Sequence, residues 1–206
     1  MAAIEHALRW LGALPAVALF VLALWGIWQS RGRRAGLAVG RWAGLARSPW
    51  FVLLGSVALV GVAYLLWRPL PLSLAPVPRV MALSVGVLLY FAGLGLWLWG
   101  RLTLGRMFAA STGFGVQLFA GQQLVTWVPY ALVRHPMYLG LILAAWGALL
   151  LYRTWACAAL AVSFLGLGRR APLEERALAA RFGPAWERYS RRVPAWLPRL
   201  RRHSRG

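Results

Sequence analysis

Arginine-free apolar runs of about 20 residues recur along this chain, each the length a helix needs to cross a bilayer's hydrocarbon core. Residues 10–30, 48–67 and 80–100 are three such runs. A fourth apolar block, residues 136–168, is broken only by Arg153. At about 1.5 Å per residue it would reach roughly 50 Å as one helix, too long for a single crossing without severe tilt. Two short antiparallel helices are therefore expected, residues 137–152 and 154–168, turning at Tyr152-Arg153-Thr154 with Thr154 as N-cap. Trp10, Trp25, Trp28, Trp50, Trp67, Trp97, Trp99 and Trp155 fall near the run ends, where an amphipathic ring prefers the membrane interface. Charged residues make up 13% of the chain and apolar ones 61%. Soluble domains carry about twice that share of charge, so an ordinary soluble globule is excluded.

The arginines set the orientation. With five spans, one side receives the 31–49 loop with 5 Arg, the 101–136 segment with 3 and the 169–206 tail with 11. The other side receives Arg9, Arg68, Arg79 and Arg153. Positive residues gather on the cytoplasmic side, which puts the C-terminus in the cytoplasm and the N-terminus outside, in a multi-pass protein of a bacterial inner membrane. Taking residues 107–133 as a sixth span would separate the tail from the 31–49 loop. That stretch also holds Gln117, Gln122, Gln123, several Gly and Pro129, which suit lipid poorly. It reads as an irregular cytoplasmic segment with short extended pieces, where Phe114, Val116 and Leu118 alternate with small or polar residues. Pro69, Pro71, Pro76 and Pro78 make the 68–79 connection a stiff extended link on the outer face. The expected fold is an all-α integral membrane protein of five transmembrane helices, including a short C-terminal helical hairpin, followed by a cytoplasmic amphipathic tail.

A net charge of +19 raises the possibility of nucleic acid. A nucleic-acid domain does not, however, distribute its basic residues between Trp-flanked apolar runs. The single cysteine, Cys157, lies inside an apolar run, which rules out a disulfide framework or multi-Cys metal site within this chain. The first apolar run follows Glu5 and His6 rather than a basic cluster, and it lacks an Ala-x-Ala exit at its far end, so it is read as a retained span.

Two polar clusters stand out. The first is Arg134-His135-Pro136-Met137-Tyr138-Leu139-Gly140, at the entry to span four. Pro136 suits the first turn of a helix, and a helix start with Arg134 and His135 just ahead of it favours an anionic group. The plainer reading is that Arg134 is one more cytoplasmic-side arginine and His135 a helix cap. The second cluster is Glu174-Glu175, two of the chain's four acidic residues, surrounded by tail arginines. These carboxylates are either surface salt-bridge partners of little energetic weight or the holders of a cationic or multi-hydroxyl ligand. Span five returns the chain to the level of Arg134, so both clusters are expected at one cytoplasmic pocket suited to a zwitterion. In the tail, Trp186, Tyr189, Val193, Trp196 and Leu197 alternate with Arg188, Arg191, Arg192 and Arg199, the pattern of an apron lying on lipid headgroups.

These residues resemble the C-terminal core of the integral-membrane isoprenylcysteine carboxyl methyltransferases and the related phospholipid methyltransferases. The similarity runs from Leu124-Val125-Thr126, Pro129-Tyr130 and Arg134 to Gly140, through the hairpin, to Glu174-Glu175, Phe182-Gly183, Trp186, Tyr189, Val193-Pro194 and Pro198. It covers about residues 101–200 and divides the chain into three N-terminal spans (1–100) and a methyltransferase-like core (101–206). The resemblance implies S-adenosyl-L-methionine as cofactor and a lipophilic small-molecule or lipid-linked acceptor entering from the membrane lipids, with no metal. It implies a cofactor pocket of Gln122, Leu124, Val125, Tyr130, Arg134, His135, Tyr138, Gly140 and Glu175, with Glu174, Glu175 and Arg170 as catalysis-linked groups. This sequence departs from the family at Gln122, where a His is frequent, and at Val128, where a Gly precedes the Pro-Tyr turn. A neutral Gln still donates to a carboxylate but adds no charge.

Three other readings compete. NADPH-dependent membrane ene reductases of the sterol type have a similar Arg-His-Pro-x-Tyr-x-Gly segment and a Gly-x-x-Trp-x-x-Tyr tail, matched here by Gly183, Trp186 and Tyr189. Those proteins have more spans and an Asp-Glu pair. A non-enzymatic protein that keeps the fold is the second, favoured by Gln122 and Val128. A transporter is the weakest, because Arg153 at a turn is the lone ionisable residue within the later apolar runs.

Overall fold

The computed structural model describes residues 2–31, 35–39, 48–108 and 116–198. Phe114, most of the arginine-rich 31–49 loop and the tail beyond Pro198 lie outside the described residues. The elements in order are α1 (Ala2–Arg31), β1 (Ala35–Val39), α2 (Pro49–Leu65), α3 (Pro76–Leu104), a 3₁₀ turn (Gly105–Met107), β2 (Val116–Phe119), α4 (Pro136–Tyr152), α5 (Trp155–Leu165), α6 (Leu167–Phe182) and α7 (Pro184–Arg192). The described residues are mostly helical, as expected, with one small strand pair added.

Two stretches, Glu5–Gln29 and Pro76–Met107, are helical, long and apolar enough to cross a membrane. Helices α2 and α4 are apolar over 17 residues each, and α5 over 11. Ser48 caps α2, its Oγ accepting from Phe51 N at 3.3 Å. None of α2's residues is buried, and Trp50 and Leu54 stand open. A helix apolar on every side and packed on so little protein presents a surface that fits hydrocarbon.

The centre of the molecule is the α3–α4 pair. Buried positions on α3 step alternately by three and four residues, through Leu83, Gly86, Tyr90, Gly93, Trp97 and Gly100, forming one seam. Against it α4 sets Gly140, Ala144, Gly147 and Ala148. A Cβ on Gly93 would lie 2.4 Å from Ala144 N, and one on Gly147 2.3 Å from Tyr90 N. The two backbones therefore touch, the contact small residues permit where helices associate in lipid.

Helix α1 is fastened at the end remote from the strand pair. Tyr90 donates its hydroxyl to Gly12 O at 2.7 Å, and Tyr152 to Arg9 O at 2.8 Å. Glu5, only 4% exposed, accepts from Arg9 at 2.7 Å and also from Arg79 and Arg153. Three of the four arginines assigned above to the outer face thus converge on one carboxylate.

The turn between α4 and α5 is built as the sequence indicates. Arg153 is left-handed (φ 52°), and Thr154 Oγ1 accepts from Cys157 N at 3.3 Å. The 68–79 link is shorter than expected, because α3 already starts at Pro76, and proline fits a helix's first turn. Its remainder pairs with the α4–α5 turn, Leu70 N donating to Arg153 O at 2.8 Å and Trp155 N to Arg68 O at 3.1 Å.

Two further differences position the functional residues. The chain was expected to leave its last span at Gly168, yet α5 ends at Leu165 and α6 begins at Leu167. Gly166 keeps right-handed helical angles (φ −61°, ψ −18°), so the path bends without unravelling. The extended piece around Leu118 is a strand, and its partner is β1 of the first loop, antiparallel with Ala38 opposite Gln117 and Val39 opposite Val116. Leu118 is buried against Ala177 of α6, with Leu173 and Leu178 beside it. A third cluster, Trp186, Tyr189 and Val193, packs α7 onto Leu124, Leu178 and Phe182.

Candidate active site

Pro136 occupies the first turn of α4, leaving His135 at the cap position and Arg134 just outside. The His135 side chain does not cap the helix. Its ring lies parallel to that of Tyr138 (centroids 5.5 Å apart) with Trp196 on a tilted approach at 5.5 Å. The segment after α7 runs back to this corner, Pro194 O accepting from Arg134 N at 2.9 Å and Ala195 O from His135 N at 3.2 Å. Those two bonds hold the Arg-His pair in place from behind.

Helix α6 supplies the acidic half. Arg170 and Glu174 are four residues apart, so they share one face, and Glu175 sits about 100° further round. Glu174 accepts a 2.7 Å bond from the Tyr138 hydroxyl, and the Arg170 guanidinium lies 5.6 Å over the Tyr138 ring. Glu175 Oε1 is shared, 2.8 Å from His135 Nε2 and 3.2 Å from Arg134 Nη2. Burial pushes the Glu175 carboxyl up, but the His135 hydrogen bond and the Arg134 charge outweigh it and hold the group below the usual carboxylate range. Arg134 Nε, also buried, has no hydrogen-bond partner among the described residues.

The loop before α4 is tied down on both sides. Tyr130 donates to Gly100 O at 3.3 Å, and Tyr189 of α7 donates to Tyr130 O at 2.8 Å. Burial raises both phenols, Tyr189 to about 12, so at neutral pH each remains a hydrogen-bond donor. Gln122 is spent on its own loop, with Oε1 accepting from Phe119 N at 3.3 Å and Nε2 donating to Met107 O at 3.5 Å.

These elements enclose a cavity of about 250 Å³. Arg134, His135, Tyr138, Arg170 and Glu174 form a polar wall, beside Gln122, Leu124, Val125 and Tyr130 of the loop. Of the site residues read from the sequence, all but Glu175 and Gly140 line the cavity. Glu175 stands behind the wall, gripping Arg134 and His135. Gly140 faces α3, where a Cβ would lie 2.7 Å from Gly93 O. A further part of the lining was not legible in the sequence: Ala23 and Ile27 of α1, Trp97 and Leu104 of α3, and Met107 and Phe108 after it. An apolar residue facing a cavity is of the same type as one facing lipid, so no signal marked these. Trp186 and Tyr189 close the floor from α7.

A zwitterion that also carries a third, positive centre is the kind of molecule this mix of guanidinium, carboxylate, phenol and apolar wall can hold. Residues 81–185, half of the chain, match the family model described as phospholipid methyltransferase. Among curated proteins, the chain is 32% identical over 164 residues to methanethiol S-methyltransferase 2 of Bradyrhizobium diazoefficiens, covering 73% of this chain and 59% of that protein. It is 29% identical over 159 residues to methanethiol S-methyltransferase of Pseudomonas deceptionensis, covering 74% and 60%. The chain therefore spans about three fifths of the length of these relatives. The cavity lies largely within the matched segment, and by that match and by its similarity to these relatives the chain belongs to the phospholipid methyltransferase family of membrane methyltransferases.

Proposed function

We propose that this chain transfers the methyl group of S-adenosyl-L-methionine to a small lipophilic acceptor at the cytoplasmic edge of a bilayer crossed five times. The observation that carries the reading is the cavity's division into a charged wall and an apolar wall. The cofactor's carboxylate would be held by Arg134, whose buried Nε has no hydrogen-bond partner among the described residues. Glu174 and Tyr138 suit its ammonium or ribose hydroxyls, and Leu124, Val125 and Leu178 offer an apolar shelf for its base. When bound, the cofactor supplies a methyl group on a positively charged sulfur, so that the acceptor's bond to carbon forms as the sulfonium bond breaks and the acceptor's proton leaves to solvent.

For such a displacement the protein has to align two partners and exclude water. Glu175 acts as a positioning residue through Arg134 and His135. Glu174 and Arg170 reach the cavity themselves. The apolar wall keeps water from the reacting atoms. Both named relatives are methanethiol S-methyltransferases, so a small thiol is the acceptor we assign first. The arginine-rich C-terminal side then faces the cytoplasm, and the Glu5 clasp faces out.

The test is direct. Purified protein in detergent, given methyl-labelled cofactor and methanethiol, is expected to release labelled dimethyl sulfide into the headspace. Binding of NADPH without S-adenosylhomocysteine would overturn the reading in favour of a reductase; binding of neither would favour a protein that keeps the fold without the reaction.

A further inference from the structure

The segment that matches the family model begins at residue 81, yet the cavity does not end there: α1, which lies wholly outside that segment, contributes Ala23 and Ile27 to its wall. We infer that α1 sets which acceptors this protein takes, with Ala23 and Ile27 as size-determining residues for a short, uncharged apolar acceptor. The inference rests on the methyl-transfer reading above and adds the class and size limit of the substrate.

Chemistry divides the cavity. Its guanidinium, imidazole and carboxylate groups come from the entry to α4 and from α6, and its phenols from Tyr130, Tyr138 and Tyr189. The part bounded by Ala23, Ile27, Trp97, Leu104, Met107 and Phe108 presents only aliphatic, aromatic and thioether side chains. A charged donor molecule belongs against the first group, which leaves the second for the acceptor. Ala23 and Ile27 themselves offer a carboxylate or phosphate no hydrogen-bond partner, so an acceptor that set such a charge against them would meet a large desolvation cost.

The wall also stands close. Gly26, between the two lining residues, is buried, and a Cβ added there would lie 2.6 Å from Arg101 Nη2. The Arg101 guanidinium is itself 4.4 Å over the Phe108 ring. So α1 packs on the α3 end through the Arg101 side chain, which fills the space a side chain at Gly26 would need, and the residues one turn apart, Ala23 and Ile27, look into the cavity. Ala23 contributes the smallest side chain on this wall, and enlarging it removes acceptor volume. Ile27, one turn on, is larger than Ala23, and trimming it adds volume.

The experiment compares wild type, Ala23→Leu and Ile27→Ala, all substitutions that an apolar membrane helix accepts. For each, S-adenosylhomocysteine affinity and kcat/KM are measured for straight-chain thiols from one to six carbons. One methylene in an apolar pocket changes discrimination by about 10-fold or more. Ile27→Ala is expected to raise the longer-to-shorter preference by about that factor, and Ala23→Leu to lower it, each with S-adenosylhomocysteine affinity within about twofold of wild type. Unchanged preference in both active variants would overturn the inference while leaving the methyl-transfer reading intact. Failure of wild type to bind S-adenosylhomocysteine would instead sink the underlying reading. Should wild type bind it yet methylate no thiol, Ile27→Cys in a Cys157→Ala background, capped with a hexyl disulfide, decides the point. Retained S-adenosylhomocysteine binding supports an acceptor wall at α1, and lost binding overturns it by making α1 part of the donor site.

Discussion

Glu175→Gln removes one negative charge and almost no volume, which makes it a sensitive probe of the pocket. One carboxylate oxygen, Oε1, holds both His135 Nε2 at 2.8 Å and Arg134 Nη2 at 3.2 Å. Charge-assisted bonds of this kind contribute about 1.5–3 kcal/mol each when well shielded. The Glu175 side chain is 24% exposed and the amide oxygen can still accept one bond, so we expect a net loss of about 1–2 kcal/mol. Because Glu175 does not line the cavity, that loss reaches the ligand through the disorder of Arg134 and His135. It corresponds to roughly 5- to 30-fold weaker S-adenosylhomocysteine binding. The sign of the pH dependence follows from the lowered Glu175 pKa. The carboxylate's contribution is complete above the unfolded-state value of about 4.3 and is lost as pH falls through the lower folded-state value. Equilibrium binding followed from about pH 7 down to about pH 2.5, a span that reaches below ordinary carboxylate titration, should therefore show an acid limb in wild type that is absent in the variant. A folded Glu175→Gln protein with wild-type affinity and an unchanged acid limb would refute the reasoning.

Three other perturbations test separate parts of the account. Tyr138→Phe deletes the 2.7 Å bond to Glu174 and is expected to weaken S-adenosylhomocysteine binding by about 5-fold with an unchanged thermal midpoint; full-strength binding would remove Glu174 from the ligand's surroundings. Gly147→Ala puts a methyl group 2.3 Å from Tyr90 N, and forcing α3 and α4 apart should cost about 1–3 kcal/mol, read as a lower thermal midpoint in detergent; an unaltered midpoint would contradict the close backbone contact. Glu5→Gln leaves Arg9, Arg79 and Arg153 around a neutral group and is expected to destabilise by about 3 kcal/mol while S-adenosylhomocysteine affinity stays within about twofold, so a loss of binding without a loss of stability would show that the clasp serves the site.

What was legible in the sequence followed local rules. Pro136 marks the start of α4 because a helix's first turn needs no N–H there, and Thr154 caps α5 because its hydroxyl satisfies an end amide. The meeting of Arg134-His135 with Glu174-Glu175 followed from hairpin geometry, since a chain that goes out and back returns to its starting level. What stayed hidden depends on partners far along the chain. Nothing in Ala35–Val39 says that it pairs with Val116–Phe119. Glu5 reads as an ordinary N-terminal acid with Arg9 one turn on, until Arg79 and Arg153 from distant segments also close on it. Gly140 sits within the motif, but its missing side chain serves the contact with α3. Gln122 shows why a motif position and a role differ: the side chain closes its own loop through Phe119 and Met107.

The measurement that bears most directly on the central claim is a pair of titrations of the purified full chain in detergent, one with S-adenosylhomocysteine and one with NADPH, repeated on Arg134→Ala. Saturable S-adenosylhomocysteine binding that Arg134→Ala weakens at least tenfold (about 1.4 kcal/mol, the scale of one charge-assisted contact) is the predicted result. Tight binding that is indifferent to Arg134, or binding of NADPH alone, would contradict the claim that the start of α4 and the face of α6 together grip a methyl donor.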